Sequence, residues 1–188
     1  MNPEGFIIYQ DTKIKYLCYN AEYYKTCVVQ QPMLINHVEK ELKNALTQKA
    51  QQCFNNLKVE YEKRRYDVNS PNIEFNVLIE PGKLKAVFLA DISIAKGNEF
   101  QSFNNFEVIE INEMYELLSI AQSIIDFEST YGDSETTLYL QYYPNLKIEK
   151  TKLSDGSKIY RLSNVVTKDE FTFASRSLSW PPGYGLEK

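Results

Sequence analysis

The stretch QPMLINHVEKELKNALTQKAQQCFNNLKVEYEKRR, Gln31 to Arg65, decides how the rest of the chain must be arranged. Within it Leu34, Val38, Leu42, Leu46, Ala50, Cys53, Leu57 and Tyr61 recur at steps of three and four, the spacing of one face of an α-helix. Pro32 suits the first helical turn, where its missing N–H would have no partner in any case. The spacing predicts one long amphipathic helix over about residues 32–64, on the order of 40–45 Å from end to end. Such a stripe needs a sheet or another helix to cover it.

The flanking sequence supplies strands. Before the helix, Phe6 to Tyr9 and Lys13 to Tyr16 flank the polar Gln10-Asp11-Thr12 and read as a short hairpin within residues 6–17. After it, Ile73, Phe75, Val77 and Ile79 alternate with polar residues, and Pro81-Gly82-Lys83 turns the chain into Leu84, Ala86, Phe88, Ala90, Ile92 and Ile94. A third strand is expected at Phe103 to Ile111, after the Lys96-Gly97-Asn98 turn. Asn112 is placed to cap a second helix that buries Met114, Leu117, Leu118, Ala121, Ile124 and Ile125 and stops at Gly132. Ser134 would cap a short third helix that Pro144 ends after Tyr142. Leu146 to Leu153, the Asp155-Gly156 turn, Lys158 to Leu162 and Glu170 to Ser175 complete a meander. The expected fold is α+β: one domain over residues 1–188, with the long helix and the second helix packed on an antiparallel sheet of about six strands. The sheet and second helix occupy 73–177, and residues 178–188 form an extended tail.

Composition narrows function. A net charge of −4 over 188 residues, with Lys63, Arg64 and Arg65 as the densest basic cluster, argues against a nucleic-acid partner. No apolar run is long enough to cross a bilayer, and Met1-Asn2-Pro3-Glu4 offers neither a basic nor an apolar leader region, so a soluble chain is expected. The 14 tyrosines suit wet core edges and binding surfaces alike.

Catalytic and metal constellations fail on inventory. The lone His37 and the cysteines at 18, 27 and 53 make no zinc set, so no metal and no cofactor are expected. His37 and Cys53 would sit roughly 24 Å apart on a continuous helix, too far for a nucleophile pair. No GxSxG elbow or phosphate-cradling glycine loop occurs, and Glu4, Glu22, Glu80, Asp91 and Glu110 show no acid–base spacing. Asp91, set among Leu89, Ala90 and Ile92, reads as a polar position on a sheet face.

Cys18 and Cys27 flank eight tyrosine-rich residues, 19–26, with no evident element of their own. A disulfide between them is expected, worth about 2.5–3 kcal/mol by loop entropy. Cys53 is left as a buried free thiol or as a partner for something outside the chain.

Tyr16-Leu17-Cys18-Tyr19, Glu22-Tyr23-Tyr24-Lys25-Thr26-Cys27, Gln31-Pro32-Met33-Leu34 and His37-Val38-Glu39-Lys40-Glu41 carry a resemblance, joined by Tyr142 to Leu146, Asp155 to Tyr160 and Phe173 to Ser177. The chain resembles uncharacterised single-pass, membrane-anchored surface proteins of small-genome (DPANN-type) archaea. The resemblance implies export and attaches no activity. This chain departs from it in showing no anchor and in carrying Leu178 where another cysteine would be expected.

The expected function is a non-enzymatic, extracellular or cell-surface interaction domain, such as an adhesin, receptor or filament subunit, that meets a protein partner or itself. The alternative is a small-molecule pocket of an α+β domain, with hydrolase or isomerase chemistry. The interaction surface is placed at Tyr61, Arg64, Arg65 and Tyr66. Strands of 7–11 residues span only about 23–36 Å and six strands are about 25–30 Å wide. The helix would therefore overhang, and its end would need covering by residues 142–188 or by a partner.

Overall fold

The computed structural model describes residues 5–70 and 73–181. Its first hairpin joins β1 (Phe6–Tyr9) to β2 (Thr12–Tyr19) through Gln10 and Asp11. Both turn residues have positive φ, 48° and 61°, which a two-residue turn between twisted strands requires. The chain then forms β3 (Val28–Val29), α1 (Leu34–Lys63), β4 (Asp67–Asn69), β5 (Ile73–Glu80), β6 (Lys83–Lys96) and β7 (Glu99–Ile111). It continues through α2 (Met114–Tyr131), α3 (Thr137–Tyr142), β8 (Leu146–Lys152), β9 (Lys158–Asn164) and β10 (Glu170–Arg176).

These elements make an α+β fold with a six-stranded sheet in the order β1-β2-β10-β9-β8, β3 pairing with β2. The sheet is antiparallel except at one place: β10 runs parallel to β2, with Ala174 opposite Tyr16. An all-antiparallel sheet was expected because every hairpin signal is local, and this pairing joins segments that no turn connects.

The chain divides into two compact units. The first is built from the described residues up to Leu34 and from Asn112 onward; the second runs Ile35–Ile111. In the first, α2 lays Leu117, Leu118, Ala121, Ile124 and Ile125 against the six-stranded sheet, where Tyr160 and Phe173 stack with centroids 5.1 Å apart. Met114 is only half-buried. The α2 start is held by Asn112, whose Oδ1 accepts from the Met114 N–H, and by Asp169, whose Oδ2 accepts from the Glu113 N–H. Ser134 caps nothing; α3 begins later, at Thr137.

In the second unit, α1 packs on its own four-stranded sheet of β4, β5, β6 and β7. Ala50, Leu42 and Leu46 meet Phe75, Val77, Leu84 and Phe88. The expected overhang does not arise, because β6 has 14 residues and β7 has 13, strands of about 43–46 Å beside a helix of about 45 Å. The apolar stripe also drifts from its expected course. After Ala50 the buried face continues through Phe54, which packs on Phe88 and Phe106, whereas Cys53 and Leu57 are exposed. Both courses keep helical spacing and rejoin at Tyr61; the larger ring takes the covered side. Lys43 is part-buried and donates to Asn76 Oδ1 at 2.7 Å. The tail expected at 178–188 lies outside the described residues beyond Pro181.

Candidate functional site

The first unit is organised around one buried carboxyl group. Glu128 continues the apolar stripe of α2 at the step after Ile124, and it is fully buried. Its Oε1 accepts from the Tyr160 hydroxyl at 2.5 Å and from the Ser134 N–H at 3.0 Å. Its Oε2 accepts from Lys158 Nζ at 2.6 Å and from the Ser175 hydroxyl at 2.9 Å. Four donors thus fill the four acceptor positions of a carboxylate. Lys158 spends its other two N–H groups on the Gly132 carbonyl at 2.6 Å and on Asp133 Oδ1 at 3.2 Å. Burial, followed by the neighbouring Glu128 carboxyl, pushes the Tyr160 hydroxyl far above the usual tyrosine range.

Asp133 sits at the mouth of this network. Burial raises its pKa, but hydrogen bonds from Lys150 and Lys152 and the charge of Lys158 outweigh that, holding the carboxyl well below the usual aspartate range. Beside it a groove of about 440 Å³ opens between the β8–β9 turn and the segment after β10. Its lining includes Asp133, Lys152, Lys158, Leu178, Ser179 and Trp180. Gly132 and Leu178 approach so closely that a Cβ on Gly132 would overlap the leucine, and the positive φ of Gly132, 91°, closes α2 in the left-handed region.

The same unit contains the expected disulfide. Cys18 and Cys27 are bonded, with Cα atoms 5.3 Å apart, and both are buried. The Cys27 N–H donates to the Ser177 hydroxyl, which itself donates to the Glu128 carbonyl, so the staple and the carboxyl network are one hydrogen-bonded body.

Tyr61, Arg64, Arg65 and Tyr66 come together as the stop of α1. Tyr66 N–H donates to the Tyr61 carbonyl and Arg65 N–H to the Glu62 carbonyl, with Arg65 at φ 64°, the pattern of a Schellman cap. The contact that accompanies such a cap is supplied by the two tyrosine rings, 5.6 Å apart. Tyr61 and Tyr66 are half-buried against Val68, Ala90 and Ile92, while Arg64 and Arg65 are exposed.

A different surface of this unit stands open. β7 pairs only with β6, and its other edge meets no strand among the described residues. It exposes Phe100, Phe103, Val108, Ile109 and Ile111, the last at 80%. The opposite edge of the sheet is blunted, because Glu39 Oε1 accepts from the Ile79 N–H of β5 at 2.8 Å. Alternation in 73–111 marks the strands, yet no local signal tells a covered strand from an edge.

His37 and Cys53 lie on one unbroken helix, roughly 24 Å apart, and Asp91 is exposed beside an irregularity in the β6–β7 ladder. Among the described residues no group of three or more His, Cys, Asp or Glu could hold a metal ion, and no helix is long and apolar enough to cross a membrane. No family model, curated protein or solved structure matches the chain.

Proposed function

We propose that the chain is a non-enzymatic interaction domain of an extracytoplasmic surface, meeting a protein partner or a second copy, and serving as an adhesin, receptor or filament subunit. The observation that carries the interaction reading is β7. A 13-residue edge with exposed apolar side chains, guarded by Glu99, Glu107 and Glu110 but by no proline or lysine, is a template for strand addition. The compartment is supported by the buried Cys18–Cys27 disulfide, since such bonds persist in oxidising surroundings. The resemblance to anchored archaeal surface proteins points the same way.

The test is light scattering over a concentration series, with Val108→Lys and Ile111→Lys beside the parent chain, and thiol mapping of protein taken from its own cells. Concentration-dependent association that both lysines suppress supports the reading. A monomer at every concentration that also retains no partner, or free thiols at 18 and 27, removes it.

A second reading, a small-molecule-binding domain, is favoured by the groove beside Asp133, whose volume lies in the range of ligand sites.

A further inference from the structure

The groove of the first unit has a chemistry that selects among ligands. Trp180 forms one wall with half of its surface exposed, and Tyr24 holds it edge-on at a centroid distance of 5.1 Å. An indole fixed in this way offers a flat apolar platform. Leu178 adds apolar surface, and Ser179, 3% exposed, has a hydroxyl with no hydrogen-bond partner among the described residues.

The charged groups here are already paired. Lys158 has used all three N–H groups, on Glu128, Gly132 and Asp133. Asp133 is held by Lys150, Lys152 and Lys158. Among the described residues each charged side chain that lines the groove already has an ion-pair partner. Neutral hydrogen-bonding capacity nevertheless remains. Among the described residues Asp133 Oδ2 accepts only from Lys152, at 2.8 Å, which leaves one acceptor position there and two N–H groups on Lys152, whose side chain is 64% exposed. An acceptor and a donor side by side match two neighbouring hydroxyls, one donating to Oδ2 and the other accepting from Nζ.

We infer that this groove binds a neutral saccharide, a pyranose laying its C–H face on Trp180 and presenting vicinal hydroxyls to the Asp133–Lys152 pair. A pyranose has the required combination of an apolar face, a hydroxylated edge and no charge. The inference deepens the small-molecule reading and is independent of β7, so either can fail alone.

Trp180 is the only tryptophan in the chain, so its emission reports on the groove directly. The parent protein is titrated to millimolar concentrations with methyl glycosides of glucose, galactose, mannose and N-acetylglucosamine, with their disaccharides, and with adenosine and uridine. The expected result is a saturable emission change with at least one saccharide. Lys152→Ala, which removes an exposed side chain and leaves the fold intact, weakens it about tenfold or more. Trp180→Ala, followed by calorimetry, abolishes the binding heat. No saturable response to any saccharide overturns the inference, as does a response to the nucleosides alone. Saccharide binding that Lys152→Ala leaves unchanged overturns it too, because the ligand then sits elsewhere.

Discussion

Lys158 Nζ lies 2.6 Å from Glu128 Oε2, with the lysine side chain 6% exposed and the glutamate side chain fully buried. Neither group has water to fall back on, so each depends on the other and on the hydroxyls of Tyr160 and Ser175.

Breaking this pair should therefore be costly in a way that a surface pair is not. Glu128→Ala leaves a buried ammonium with one of its three acceptors gone, and is expected to lower stability by about 3–5 kcal/mol. Lys152→Ala, which removes an exposed partner of Asp133, should cost less than about 1 kcal/mol. Urea unfolding followed by circular dichroism measures both.

Alkaline pH should weaken the same network. The Tyr160 hydroxyl has its pKa raised above the ordinary tyrosine value of 10.0, so the folded state holds this proton more tightly than the unfolded chain. The stabilisation is complete below about pH 10 and declines as pH rises beyond it. Tyr160→Phe removes that decline while lowering stability at neutral pH, where Glu128 loses a donor. Thermal midpoints from pH 7 to 11 for both proteins give the comparison.

The sequence made Glu128 visible in principle. It follows Leu117, Ala121 and Ile124 at helical spacing, and Lys158 and Tyr160 alternate on β9 as inward positions do. A glutamate near a helix end and a lysine opening a strand nonetheless read as solvated, since either one alone would be. Only the parallel pairing of β10 with β2, which brings Ser175 and Ser177 beside the disulfide, shows why they are tolerated. The hairpins at Gly82, Gly97 and Gly156 were legible because positive φ leaves few alternatives to glycine. The division into two units was not, because the hydrophobic pattern says that α1 is covered and does not say by which strands.

The corrected face of α1 separates two outcomes. Leu46→Ala and Phe54→Ala are expected to cost about 2–3 kcal/mol, each leaving a void against the β5–β6 hairpin. Leu57→Ala, at a site 45% exposed, should stay within about 0.5 kcal/mol. Equal losses at positions 54 and 57 would contradict this face.

The α1 stop offers a gain. Arg65 occupies the left-handed position of the cap, where a Cβ is disfavoured. Arg65→Gly is expected to raise stability by about 0.5–1 kcal/mol, read as a shift of the urea midpoint at constant slope. The Tyr61–Tyr66 contact should survive the change.

The parallel ladder between β2 and β10 also has a consequence for biosynthesis. The residues it joins, Tyr16 with Ala174 and Cys18 with Ser175, lie more than 150 positions apart in sequence. On the ribosome β2 emerges before β10 and waits roughly 10–30 s, at ordinary elongation rates, for the strand that completes its ladder. Residues 35–111, contiguous in sequence and rich in local hairpin contacts, can fold during that interval. β2 thus keeps an unfilled ladder edge until β10, the last strand of its unit among the described residues, has been made.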